Sequence, residues 1–183
     1  MPRNTLALLA AFAIPAAAPA MAQDGDRPVR IVEDVPKLSI PKTVSASATP
    51  SGLPVPRYVS LKVGKANCRI GPTRSHAVAY QYQRRGLPLV VIAETELWRR
   101  VRDVNGDQCW IKATGLSGVR HALTLDRVEL HAKPKADSKT RAVAERGTVV
   151  SLGECSGGWC EVRAGGFKGW AREQDLWGAG RLP

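Results

Sequence analysis

From residue 58 onward, apolar positions alternate with polar ones over short runs, and Gly, Pro or Asn-Gly punctuates each run. Tyr58-Val59-Ser60-Leu61-Lys62-Val63 alternates with a period of two, the pattern of a half-buried strand. Asn67 to Ile70 ends at Gly71-Pro72, and Gly86-Leu87-Pro88 leads into the β-branched run Leu89-Val90-Val91-Ile92-Ala93. Trp98-Arg99-Arg100-Val101-Arg102 is followed by Asn105-Gly106 and then Cys109-Trp110. Asn-Gly between two apolar runs is a hairpin signal, because both residues tolerate positive φ. Several short strands with turns every several residues make the expectation all-β.

The same pattern then comes round again. Val128 to His131, Gly147-Thr148-Val149-Val150, Trp159-Cys160-Glu161-Val162-Arg163, Gly165-Gly166 and Gly169-Trp170 repeat the earlier order. Trp98 and Trp159 are 61 apart, as are Val101 and Val162; Trp110 and Trp170 are 60 apart, and Pro72 and Pro134 are 62 apart. Offsets that drift by one residue are what tandem copies with small loop changes produce. Two repeats are predicted, at 56–122 and 123–183, each folding as a small barrel. Such a short unit buries only about 60% of its unfolded surface, so a closed edge and a cross-link both help it.

The first 55 residues carry no such pattern. Arg3, the apolar stretch Leu6 to Ile14 and the small residues Ala20 and Ala22 occur in the order of an export signal, predicting a signal peptide over 1–22 with cleavage after Ala22. Its apolar core is too short to span a bilayer as a helix. Residues 23–55 hold Pro28, Pro36, Pro41, Pro50 and Pro54 among small and charged residues, with no aromatic side chain. Such a stretch is expected to be a disordered tether.

The order Asn67-Cys68-Arg69-x-Gly71-Pro72, Gly86-Leu87-Pro88, Trp98-x-x-Val101, Asn105-Gly106-x-x-x-Trp110 and Leu116-Ser117-Gly118 resembles the bacterial SH3-like (SH3b) family. The resemblance is closer in the first repeat; in the second, Glu129-Leu130-His131-Ala132-Lys133-Pro134 keeps only the proline of the opening motif. It implies a tandem pair of half-open barrels of five or six strands. It also implies a non-catalytic module of an exported protein that binds cell-wall peptide or another envelope protein.

Charge sharpens where a partner would sit. The chain has 27 Lys and Arg against 16 acids. Twelve of those basic residues lie in 56–122 against four acids, whereas 123–183 is close to balanced with ten against eight. If Val101 faces the core, Trp98, Arg100 and Arg102 face the other way. Trp98, Arg99, Arg100, Arg102, Arg84 and Arg85 are therefore the candidate ligand residues, able to pair with carboxylates while Trp98 supplies apolar area. The expected partner is anionic peptidoglycan material, with an acidic envelope protein that the chain would regulate as the alternative. Nucleic acid would suit the charge but not export.

The four cysteines are expected to pair within repeats, Cys155 with Cys160 and Cys68 with Cys109, since each repeat then carries its own staple. Cross-repeat connectivities remain open at this point. The cysteine spacing lacks the two close pairs of a structural zinc site. His76, His121 and His131 sit in no nucleophile motif. No phosphate loop or dinucleotide fingerprint occurs. The sequence thus predicts no enzyme, no metal and no cofactor.

Overall fold

The computed structural model describes residues 43–180 and Leu182. The predicted signal peptide and the tether up to residue 42 lie outside the described residues. Among the described residues every regular element is a strand or a short 3₁₀ turn. The strands form two antiparallel seven-stranded sheets with the same internal order.

The first sheet holds β1 (Arg57–Leu61), β2 (Ala66–Arg69), β3 (Val78–Tyr82), β4 (Pro88–Glu94), β5 (Trp98–Arg102), β6 (Gln108–Lys112) and β7 (Leu116–Ser117). They run in the order β3-β2-β6-β5-β4-β1-β7. The second holds β8 (His121–Thr124), β9 (Val128–His131), β10 (Thr140–Ala144), β11 (Val149–Ser156), β12 (Trp159–Ala164), β13 (Phe167–Arg172) and β14 (Leu176–Trp177). Their order, β10-β9-β13-β12-β11-β8-β14, repeats the first. The expected five or six strands become seven in each barrel. The two-residue strands β7 and β14, each entered through a 3₁₀ turn, pair back onto β1 and β8. The break between sheets falls at 118–120, slightly ahead of the expected boundary.

Alternation places Val59, Leu61, Leu89, Val91, Val101 and Ile111 in the first core, with Cys68 and Cys109. Val128, Leu130, Val150, Val162, Ala171 and Leu176 fill the second, with Cys160. Both within-repeat disulfides are present, Cys68–Cys109 and Cys155–Cys160.

The disulfides occupy different places in the two barrels. Cys68 corresponds to Leu130, and Cys109 to Gly169. A Cβ at Gly169 would lie 2.9 Å from Leu130 Cβ, so the second barrel fills this spot by packing a leucine onto a glycine. Cys155 and Cys160 face one another across β11 and β12. Their counterparts in the first barrel are Glu94 and Arg99, which face one another across β4 and β5.

The hairpins explain the drifting repeat offset. In the second barrel Gly165 and Gly166, at φ 55° and 85°, form a two-residue turn with Ala164 opposite Phe167. In the first barrel the loop is one residue longer. Asp103 carries the turn: its amide donates to Asp107 O, its carbonyl accepts from Gly106, and its carboxylate accepts from the amides of Asn105 and Asp107. Gly106, at φ 91°, closes it. This is a three-residue hairpin loop rather than a two-residue one, and it sets Trp98 opposite Lys112.

The stretch 43–55, predicted as the end of the tether, is instead ordered against the first barrel. Val44 and Val55 form a bridge, and Val55 is buried in the first core. The Ser51 amide and hydroxyl both donate to Glu94. Lack of aromatic residues hid this, because the strap is held by one valine and a polar cluster.

The barrels pack directly on one another. Tyr58 meets Trp177 edge-on at 5.6 Å, and the Arg120 guanidinium lies 5.6 Å above the Tyr58 ring. Arg120 donates to the carbonyls of Gly178 and Ala179, and Arg84 to that of Gly147. Gly178 has φ 105°, and a Cβ there would meet His121 O at 2.7 Å and Pro88 Cβ at 3.1 Å; only glycine fits this approach.

Candidate functional site

Register places the predicted site residues on several surfaces. Trp98, Arg100 and Arg102 do share the face opposite the core, across from Lys112, Trp110 and Gln108 respectively. Their environments differ. Arg100 is exposed. Arg102 is only 7% exposed. Arg102 pairs with Val90, which pairs with Tyr58, the residue stacked on Trp177. That end of the face is buried, and Arg102 lies there close to Tyr58 and not open to solvent as Arg100 is.

Arg99 also leaves the proposed set. It shares the core side with Val101, and its Nε lies 2.8 Å from Glu94. Arg84 is engaged with Gly147 O at 2.6 Å. Arg85 is exposed beside it, away from Trp98.

What the fold does bring together is a groove on either side of Trp98. One cleft of about 570 Å³ lies between the 72–74 loop and the 95–98 loop, lined by Pro72, Arg74, Glu96, Leu97, Trp98 and Lys112 among others. A second, adjoining cleft of about 250 Å³ shares Arg74, Trp98 and Lys112 and adds Lys65 and Arg69. Trp98 is 8% exposed and lines both clefts together with Arg74 and Lys112. Leu97 beside it is 62% exposed. Arg69, Trp110 and Arg100 form an adjoining row across β2, β6 and β5. Arg69 donates to His76 O, fixing the loop that carries Arg74. Among the described residues, Arg74, Arg100 and Lys112 make neither an ion pair nor a side-chain hydrogen bond. Cations beside a tryptophan that lack an ion-pair partner are suited to carboxylate or phosphate oxygens, with Glu96 the acid that lines the same cleft.

Arg74 and Lys112 were missed in the sequence. Arg74 arrives from a loop with no periodic signal. Lys112 stands opposite Trp98 only because the hairpin loop has three residues; a two-residue Asn-Gly turn would put Ala113 there.

The corresponding tryptophan of the second barrel has different surroundings. Trp159 pairs with Arg172, as Trp98 does with Lys112, but Arg172 lies over the Trp159 ring at 5.4 Å. His131 meets the same ring edge-on at 5.5 Å. Glu161 replaces Arg100 and is paired with Lys168 at 2.7 Å. The ring and the charges are satisfied within the barrel.

Electrostatics separate structural from available groups. Burial pushes the Glu94 carboxyl up, but the Ser51 hydroxyl, the Arg57 guanidinium and the Ser51 amide outweigh it and hold it at about 2. Burial raises Tyr82, reinforced by the Tyr80 hydroxyl and Asp103. Burial raises Asp103 as well, against the hydrogen bond from Tyr82. The Tyr80–Tyr82–Asp103 line therefore serves the hairpin turn. Burial of Tyr58 raises its phenol, with Gly178, Arg120 and Arg102 pulling the other way.

Comparison with known proteins agrees with this duplicated architecture. The family model described as the bacterial SH3 domain matches residues 62–118 and again 125–178. Among solved structures, the chain is similar to NlpC2 from Trichomonas vaginalis, with 13% identity and a TM-score of 0.31 over 67% of this chain and 48% of that one. It is similar to NlpC1 from the same organism, with 12% identity and a TM-score of 0.32 over 67% of this chain and 45% of that one. The chain thus spans about half the length of either, and likeness at this level carries no functional argument. No curated protein matches the chain.

Proposed function

The chain belongs to the bacterial SH3 domain family through both of its barrels, and on that premise we propose that it is an exported, non-catalytic protein that binds anionic cell-wall peptide through its first barrel. The observation that carries the proposal is the difference between the two tryptophan faces. In the first barrel Arg74 and Lys112 line the Trp98 groove and Arg100 stands in the adjoining row, all without partners among the described residues. In the second, Arg172, His131 and Lys168 are engaged with Trp159 and Glu161. The first barrel recognises the ligand and the second stabilises it and fixes its orientation.

The ligand reading follows from the groove's chemistry. Two clefts sharing Trp98, Arg74 and Lys112 fit an extended chain that lays an apolar segment along Trp98 and Leu97 and carries carboxylates to either side. Peptidoglycan peptides have that chemistry. Export is supported by the predicted signal over 1–22 and by two disulfides, which persist outside a reducing cytoplasm.

The test is retention on purified, insoluble peptidoglycan. Arg74→Ala with Lys112→Ala should lower the retained fraction at least about tenfold, since charge-assisted contacts contribute roughly 1.5–3 kcal/mol each. Trp159→Ala should leave retention unchanged. Equal retention of the Arg74/Lys112 variant would refute the groove. Capture by an acidic envelope protein with no retention on peptidoglycan would refute the ligand.

A further inference from the structure

The strap 43–55 precedes β1, whereas β8 follows directly on β7 of the first barrel, so the strap has no counterpart in the second. Besides Val55 in the core, it meets the barrel at a buried charge. The Glu94 side chain is 1% exposed and lies 2.7 Å from Arg57 Nη2 and 2.8 Å from Arg99 Nε. From the strap, the Ser51 amide donates to Glu94 at 3.0 Å and the Ser51 hydroxyl donates to the same oxygen. Arg57 donates back to the strap at Pro54 O, 3.1 Å away.

The other side of this cluster is the wall of the Trp98 groove. Arg99 Nη1 donates to Thr95 O and to Trp98 O. The Thr95 amide donates to Trp98 O at 2.9 Å, and the Trp98 amide to Thr95 Oγ1 at 3.2 Å. Glu94 therefore sits between the strap and the 95–98 loop, the loop that brings Leu97 and Trp98 to the cleft.

The second barrel supplies the comparison. At the positions equivalent to Glu94 and Arg99 it has Cys155 and Cys160, joined covalently. Its hairpin is clamped without any strap. One barrel fastens this hairpin with a disulfide, the other with an ion pair whose acid is held by the strap.

We infer that the strap is a working part of the binding site, positioning the Thr95 to Trp98 wall of the groove through Ser51, Arg57 and Glu94. The inference rests on the reading of the Trp98 groove as the ligand site, and it makes Ser51, Arg57 and Glu94 positioning residues. Ligand affinity depends on whether the strap is seated, so the segment preceding the barrel is coupled to binding.

Two readouts on the full chain test it: amide hydrogen exchange at Thr95 and Trp98, and the dissociation constant for soluble peptidoglycan fragments. Ser51→Ala with Arg57→Ala should speed exchange at both amides about tenfold and weaken fragment binding about tenfold, while amides of β9 and β13 keep their protection. Adding Glu94→Cys and Arg99→Cys to that variant copies the second barrel's clamp. Oxidised, it should recover slow exchange and fragment binding; reduced, it should lose both. Unchanged exchange in the Ser51/Arg57 variant, or no recovery on oxidation, overturns the inference. Faster exchange with unaltered fragment affinity leaves the clamp standing and overturns the groove as the ligand site. A native chain that binds no fragment overturns that reading too, while exchange still decides the clamp.

Discussion

Removing the two disulfides one at a time should have unequal costs, and the structure sets the ratio. Cys68–Cys109 closes a span of 41 residues and Cys155–Cys160 one of 5. Loop-closure entropy then assigns about 4 kcal/mol to the first and about 2 kcal/mol to the second. A barrel of this size has a total stability of roughly 3–9 kcal/mol. Cys68→Ala with Cys109→Ala should therefore bring the first barrel close to its unfolding threshold, whereas Cys155→Ala with Cys160→Ala should leave the second folded. Urea titration followed by the backbone amides of each barrel separates the two transitions. The second barrel's own solution offers a partial rescue. Cys68→Leu with Cys109→Gly reproduces the Leu130–Gly169 packing and should recover about 1–2 kcal/mol of apolar burial relative to the double alanine variant. A loss in the Cys155/Cys160 variant equal to or larger than that in the Cys68/Cys109 variant would refute the assignment of unequal loops.

The buried acid gives a pH prediction. Glu94 is held at about 2 in place of the ordinary 4.5, so its ionised form contributes roughly 3 kcal/mol that is complete above about pH 4.5 and is lost as pH falls towards 2. Glu94→Gln should remove most of this acid sensitivity in a pH titration of unfolding; an unchanged acid limb would contradict it. Arg100 and Arg102 should separate cleanly. Arg100→Ala should weaken retention on peptidoglycan with little change in unfolding midpoint, and Arg102→Ala should lower the midpoint with little change in retention; the reverse pattern would mean that the buried end of this face is misassigned.

The sequence carried the repeat, the strands and the cysteine pairing because each rests on local chemistry. Alternation over Trp98 to Arg102 correctly separated Val101 from its neighbours. Alternation could not say which part of the outward face is covered, and Arg102 is buried on it while Arg100 is exposed. Arg74 and Lys112 required loop geometry and register, and register turned on a single additional residue in the Asp103–Asp107 hairpin. The strap was illegible for another reason. Its composition is that of a tether, and its order comes from one buried valine and a carboxylate some forty residues later. The drift from 61 to 60 between repeats was visible throughout and is the trace of that longer hairpin.

On the proposed reading, ligand recognition belongs to the Trp98 groove and not to its counterpart at Trp159. Titrating the isotope-labelled protein with soluble peptidoglycan fragments tests it most directly. The largest chemical-shift changes should fall on the Trp98 indole N–H and on Arg74, Leu97 and Lys112, with Trp159 and Trp170 unmoved. Changes centred on Trp159, or none at saturating fragment, would contradict it.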